Sequence, residues 1–229
     1  KLRSCGDHKG FKKSLISAIE YCFLITIFLT GYFVTFNNQI IQLVFERGAF
    51  DYSATLKVQN ILIAYAVGIP FYLYKDLLVR TYYSIEKTKF PFKLSFAGII
   101  LNIVFDWFLI GAPIKNFGNL SPYNFGVVGI ILSSVIVNFI VCILLSFNLQ
   151  NEDINLPNLD LLKKILLMSI AAFIDSTICF SILKTTNKFN SNLGEFLLLI
   201  FGSLTFFVTY FLITKFLKVN KFKIYQNRI

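Results

Sequence analysis

Charge is scarce in this chain of 229 residues: Asp, Glu, Lys and Arg together make up 15%, against about 25% in a typical soluble domain. Histidine is nearly absent. The only one, His8, lies in a basic, polar stretch and reads as a solvated loop residue, because histidine catalysis needs oriented partners. The four cysteines show no CxxC or other ligand spacing. Cys22, Cys142 and Cys179 fall inside apolar runs and Cys5 near the N-terminus, so they read as small apolar fillers, neither disulfides nor metal ligands. No P-loop, GxSxG or HExxH sequence occurs. No signal peptide is visible, residue 1 is Lys and the only methionine is Met168; the expectation is a C-terminal piece of a longer protein.

What is abundant is apolar surface. Hydrophobic residues make up 56% of the chain, Phe alone numbers 27, and mean hydropathy is +0.68. The expected class is an all-α polytopic membrane protein. Six apolar segments are long enough to span, near residues 18–36, 56–79, 92–110, 125–147, 161–183 and 195–217. Each has about the 17–25 residues that a hydrocarbon core of about 30 Å requires. The net charge of +10 could suggest nucleic acid. Its distribution argues otherwise, since the basic residues lie in short connections between apolar runs, and no nucleic-acid partner is expected. Sixteen Lys and Arg fall before the first span, after the last, and in alternate loops, against five in the opposite loops. The positive-inside rule then puts both termini in the cytoplasm. Of the prolines, Pro91 suits the first turn of span three, Pro113, Pro122 and Pro157 read as loop residues, and only Pro70 is mid-span, where it should bend the helix with Gly68 easing the bend.

The polar residues inside the spans carry the functional reading. In LNIVFDWFLI (101–110), Asn102 and Asp106 are one helical turn apart on one face. An Asp at a helix centre costs about 2.5–3.5 kcal/mol on insertion scales, so such a residue normally faces a bundle interior or a watery cavity. A carboxylate and an amide carbonyl aimed at one point suit a hard cation or a proton relay; interhelical hydrogen bonding is the alternative. Ser133, Ser134 and Asn138 in span four offer hydroxyls and an amide. Lys75, Asp76 and Arg80 lie toward the cytoplasmic end of span two. Asp76 and Arg80 read as an i,i+4 pair and Lys75 as a snorkelling side chain, or the group lines a cavity for anionic headgroups. Asp175 has no evident partner, Glu20 reads as interfacial, and Tyr21, Tyr72, Tyr74, Tyr82 and Tyr83 fit an aromatic belt. The stretch VFERGAFDYSAT (44–55) reads as an outside loop, with Asp51 or Ser53 capping the next helix.

The order FERGAFD, then IAYAVGIPFYLYKDLLVRTYYSIEKTKFP, then GVVGIILSS resembles the MurJ/MviN family of lipid II flippases. Phe45, Gly48, Phe50 and Asp51 match an F-x-x-G-x-F-[DT] loop. Arg80, Tyr83, Ser84, Lys89 and Pro91 match R-x-F-Y-[AS]…D-x-K-T-P, with Tyr82 for Phe, Lys87 where an acid is usual and Phe90 where Thr is usual. Gly126, Val127, Gly129, Ile130, Leu132, Ser133 and Ser134 match the start of a later span. The resemblance covers residues 44–135 well and the last two spans only in placement.

The resemblance implies a fold of fourteen helices, of which this chain supplies six transmembrane helices, nine to fourteen. Residues 1–150 would be the four-helix part of the C-terminal transporter lobe and 151–229 the C-terminal pair of helices. Some family members bind a sodium ion in that lobe. By resemblance, Asn102, Asp106, the Ile130 carbonyl and Ser134 fall on its ligands, with a further acidic ligand in an earlier helix absent from this chain. The implied partners are an undecaprenyl-linked lipid, membrane lipids and the missing N-terminal helices of the same protein. The implied location is the bacterial inner membrane, with no covalent chemistry performed. The lipid chain is expected in a groove shaped by the last two helices, and Lys75, Asp76 and Arg80 are candidates for the substrate cavity. A MATE-like drug–cation antiporter, a polysaccharide exporter, an inactive helical bundle and, last, a lipid-modifying enzyme remain alternatives at this point.

Overall fold

The computed structural model describes residues 8–45, 52–111, 123, 125–150, 154, 156, 158–186 and 192–216. Among them are seven helices and no strand: α1 (His8–Thr35), α2 (Asn37–Phe45), α3 (Tyr52–Ser84), α4 (Lys89–Ile110), α5 (Val127–Gln150), α6 (Asn158–Thr186) and α7 (Asn192–Phe216). The six expected spans are α1, α3, α4, α5, α6 and α7. The first five of these are long and apolar enough to cross a bilayer, and the described apolar part of α7 runs Leu199–Lys215. The short helix α2 was not expected. Its nine residues open on Asn37-Asn38-Gln39 and bury Ile41, too short and too polar at the start to register as a span. The segment 46–51, with most of the FERGAFD motif and Asp51, lies outside the described residues, as do Pro113, Pro122 and Pro157. Ser53 is already inside α3.

The helices pack in a row, α4 on α5, α5 on α3, α3 on α1, α1 on α6 and α6 on α7, with α2 bridging α3 and α7. The main core joins α1, α3, α5 and α6 through Ile19, Leu78, Tyr82, Leu145, Met168 and Ala171, each at most 2% exposed. In a membrane, such packing rests on close fit and interhelical hydrogen bonds more than on apolar burial. Gly68 shows the fit. A Cβ there would lie 2.7 Å from Val135 Cγ2 and 2.6 Å from Tyr72 Cε2. Its role is therefore close approach of α3 to α5, beyond any easing of the bend at Pro70.

Pro70 sits inside α3 and is buried. It lacks the N–H that would bond the carbonyl four residues earlier. That carbonyl, Ala66 O, accepts a hydrogen bond from Thr30 Oγ1 of α1 at 2.8 Å. Gly111 ends α4 in the left-handed conformation at φ 73°, the usual glycine stop. The turn between α3 and α4 instead uses Glu86 at φ 61°, a non-glycine residue in the same conformation.

One expectation from the sequence needs correction. The tyrosines do not form one belt: Tyr21 and Tyr83 are exposed, but Tyr82 is fully buried, and its hydroxyl meets Leu145 O at 2.9 Å and Asn148 Oδ1 at 3.1 Å. Tyr74 bonds Ser146 Oγ at 2.8 Å. A phenol can enter a core when its hydroxyl finds a partner there. Glu20, read as interfacial, makes an ion pair with Lys164 of α6 at 2.5 Å. Lys163 and Lys164 lie near the start of α6.

Candidate functional site

The face of α4 that meets α5 carries Ser95, Gly98, Asn102 and Asp106 at helical spacing. Facing it on α5 are Ser133, Ser134, Val137, Asn138 and Val141. What lets α5 come so close is Gly129: a Cβ there would lie 2.6 Å from Leu109 O and 2.8 Å from Leu109 C. The contact is with backbone, which cannot rotate away. Phe125 N and Gly126 N also bond Leu109 O and Ile110 O, at 3.1 and 3.0 Å. The glycine of the G-V-V-G sequence thus sets the distance between the two helices one turn from the polar cluster.

Ser133 is the centre of that cluster and is fully buried. Its hydroxyl reaches Asp106 Oδ1, Asn102 Oδ1 at 3.1 Å and Ile130 O at 2.8 Å. A serine hydroxyl has one proton to donate. Three oxygen acceptors thus converge on a single donor, one of them a carboxylate. Ser134 Oγ lies 3.4 Å from both Asn102 Oδ1 and Asn102 Nδ2, and Asn138 Nδ2 donates to Ser134 O at 2.6 Å. The structure therefore brings Asn102, Asp106, Ile130 and Ser134 together. Ser133, which the family resemblance did not single out as a ligand, holds the central place.

Lys75, Asp76 and Arg80 of α3 separate. Asp76 and Arg80 form an outward i,i+4 ion pair at 2.9 Å, with side chains 53% and 75% exposed. Lys75 instead lines a cavity of about 290 Å³ with Ser95, Gly98, Asn102, Ser134 and Asn138. A second, apolar cavity of about 480 Å³ lies between α1, α3, α5 and the start of α6, lined by Phe23, Phe71, Phe139, Phe147, Leu161 and Ile165 among others. Of the last two helices, only α6 lines this cavity, through Leu161, Leu162 and Ile165.

Asp175, without a partner on the sequence alone, has one. Thr209 of α7 donates its hydroxyl to Asp175 Oδ1, while Asp175 Oδ2 is buried with no hydrogen bond. Sequence could not pair these residues, which lie on different helices.

These features define a multi-pass helical membrane protein with an oxygen-rich cluster between two of its spanning helices. The family model described as lipid II flippase MurJ matches residues 1–202. The chain belongs to the lipid II flippase MurJ family. It is 39% identical to a probable lipid II flippase MurJ of Synechocystis over 110 residues, 48% of this chain and 18% of that protein. It is 30% identical to the lipid II flippase MurJ of Thermosipho africanus over 152 residues, 65% of this chain and 29% of that protein. A probable lipid II flippase MurJ of Thermotoga maritima is 27% identical over 221 residues, 96% of this chain and 41% of that protein. A solved structure of lipid II flippase MurJ in an inward closed conformation superposes with a TM-score of 0.67 at 25% identity, covering 93% of this chain and 41% of that one. The chain thus spans less than half the length of the relatives it matches.

Proposed function

We propose that this chain is the C-terminal part of a lipid II flippase that moves a lipid-linked peptidoglycan precursor across the bacterial inner membrane by alternating access. In this reading both termini face the cytoplasm, as the sixteen-to-five asymmetry of Lys and Arg favours. The first helices, through residue 150, contribute to a transporter lobe, and α6 and α7 form the C-terminal pair. The chain performs no covalent chemistry.

The observation that carries the mechanism is the surplus of acceptors around Ser133. A carboxylate oxygen, an amide oxygen and a backbone carbonyl share one hydroxyl proton. Oxygens so arranged repel one another unless a positive charge lies among them, and hard cations take such ligands. Asn102, Asp106, Ile130 through its carbonyl, Ser133 and Ser134 would hold a sodium ion. Bound there, the ion supplies a charge whose presence favours one conformation over another. A membrane potential acts on such a charge with about 2.3 kcal/mol per 100 mV.

In this reading a segment of the undecaprenyl chain would lie along the apolar cavity beside Phe23 and Leu161, with the polar headgroup toward the side on which Lys75 lies. Transport of fluorescent lipid II by the complete transporter in proteoliposomes tests the reading. Asp106→Ala and Asn102→Ala should each lower the rate at least tenfold at fixed sodium with the protein still folded. Undiminished transport in both variants would remove the cation from the mechanism.

A further inference from the structure

Two opposite charges lie along one polar string in this bundle. Lys75 is half-buried in a spanning helix, and among the described residues it makes no ion pair. The acid next to it, Asp76, is engaged by Arg80. Asp106 likewise makes no ion pair among the described residues; its Oδ1 bonds Ser133. Between them lies the cavity that Lys75 lines together with Asn102 and Ser134. The other polar residues lining it, Ser95 and Asn138, are neutral. Asn102 shares Ser133 with Asp106, so the floor of the lysine's cavity is the wall of the oxygen cluster.

An ammonium inside a membrane-spanning helix is costly and normally faces a countercharge or water. Lysine carries its charge on a long flexible stem. A second cation entering the cluster would meet the field of that ammonium across the cavity that Lys75 and Asn102 both line, and like charges repel more in such a partly enclosed space than in bulk water. We infer that Lys75 is a tethered cation that opposes ion binding at the Asn102–Asp106 cluster and so sets its sodium affinity. This rests on the cation reading above. The field of Lys75 partly offsets the charge of Asp106 across the cavity, and an incoming ion must work against that field. The lysine thereby keeps the cluster from being occupied permanently, which a transporter that cycles between loaded and unloaded states requires.

The test is the thermal stability of the purified protein in lipid nanodiscs, titrated with sodium chloride at ionic strength held constant with choline chloride. A ligand at free concentration c that binds the folded state stabilises it by RT ln(1 + c/Kd), so the rise of the melting temperature with sodium concentration gives the dissociation constant. Lys75→Gln should lower the sodium dissociation constant so obtained at least about fivefold, the lower end of common site-to-site coupling. Lys75→Arg, which keeps the charge, should titrate like the unmodified protein. Asp106→Asn should abolish the sodium-specific rise. If Lys75→Gln titrates like the unmodified protein while Asp106→Asn loses the response, Lys75 has no such role although the cation site stands. If neither the unmodified protein nor Lys75→Gln responds to sodium, the cation reading falls and this inference with it. A response seen only in Lys75→Gln would be its strongest support.

Discussion

Thr30 of α1 donates its hydroxyl to Ala66 O of α3, the carbonyl left without its helical donor by Pro70 four residues on. The same hydroxyl lies 2.9 Å from Thr26 O in its own helix, so one proton is shared by two carbonyls. Inside a membrane no water can take over such a carbonyl. A proline in a spanning helix is thus tolerated because a neighbouring helix supplies the missing donor.

Thr30→Val should therefore destabilise the protein by about 1–2 kcal/mol, between the mean for interhelical hydrogen bonds in membranes and the cost of an orphaned carbonyl. In a Pro70→Ala background the same change should be nearly neutral, because the backbone N–H returns. A double-mutant cycle read by denaturation in detergent checks this; additive effects would mean that the two residues are not linked.

Gly129 and Gly98 should respond oppositely to alanine. At Gly129 a Cβ would press on Leu109 O at 2.6 Å; Gly129→Ala should cost about 1–3 kcal/mol as overpacking and move α5 away from Asn102. At Gly98 the nearest atoms are Val137 Cγ1 and Val141 Cγ2, both at 3.6 Å. Gly98→Ala should be neutral or stabilise by up to about 1 kcal/mol through helix propensity. Melting temperatures of the two variants in one detergent compare them directly.

Glu86 holds a left-handed backbone at φ 61° without being glycine. L-residues pay roughly 1–2 kcal/mol for that conformation. Glu86→Gly should recover part of it, raising stability by about 0.5–1 kcal/mol in chemical denaturation. Glu86→Val, β-branched at the same φ, should lower it.

The spans were legible because each needs only a long apolar run, and Asp106 drew notice because a carboxylate in such a run must have a reason. The i,i+4 relation to Asn102 was enough to place both on one face. Ser133 was harder. It and Ser134 are adjacent, separated by about 100° around the helix, and both look equally suitable in sequence. Only the packing against α4 shows that Ser133 is enclosed while Ser134 stands at the cavity wall. Tyr82 illustrates the same limit. Tyrosine near a helix end reads as interfacial, yet its hydroxyl meets a carbonyl 63 residues away. Helix α2 escaped notice because nine residues leave no spanning signature. For Ser133 and Tyr82 the missing information was which side of a helix meets which neighbour, a property of the tertiary arrangement.

The central claim is that the oxygens around Ser133 hold a cation through Asp106. Equilibrium binding of radioactive sodium to the purified protein in nanodiscs measures it most directly. Saturable binding near one ion per protein, lost in Asp106→Asn and weakened at least tenfold in Asn102→Ala, is the expected result. Saturable binding that survives unchanged in both variants, or no saturable binding at all, would contradict it.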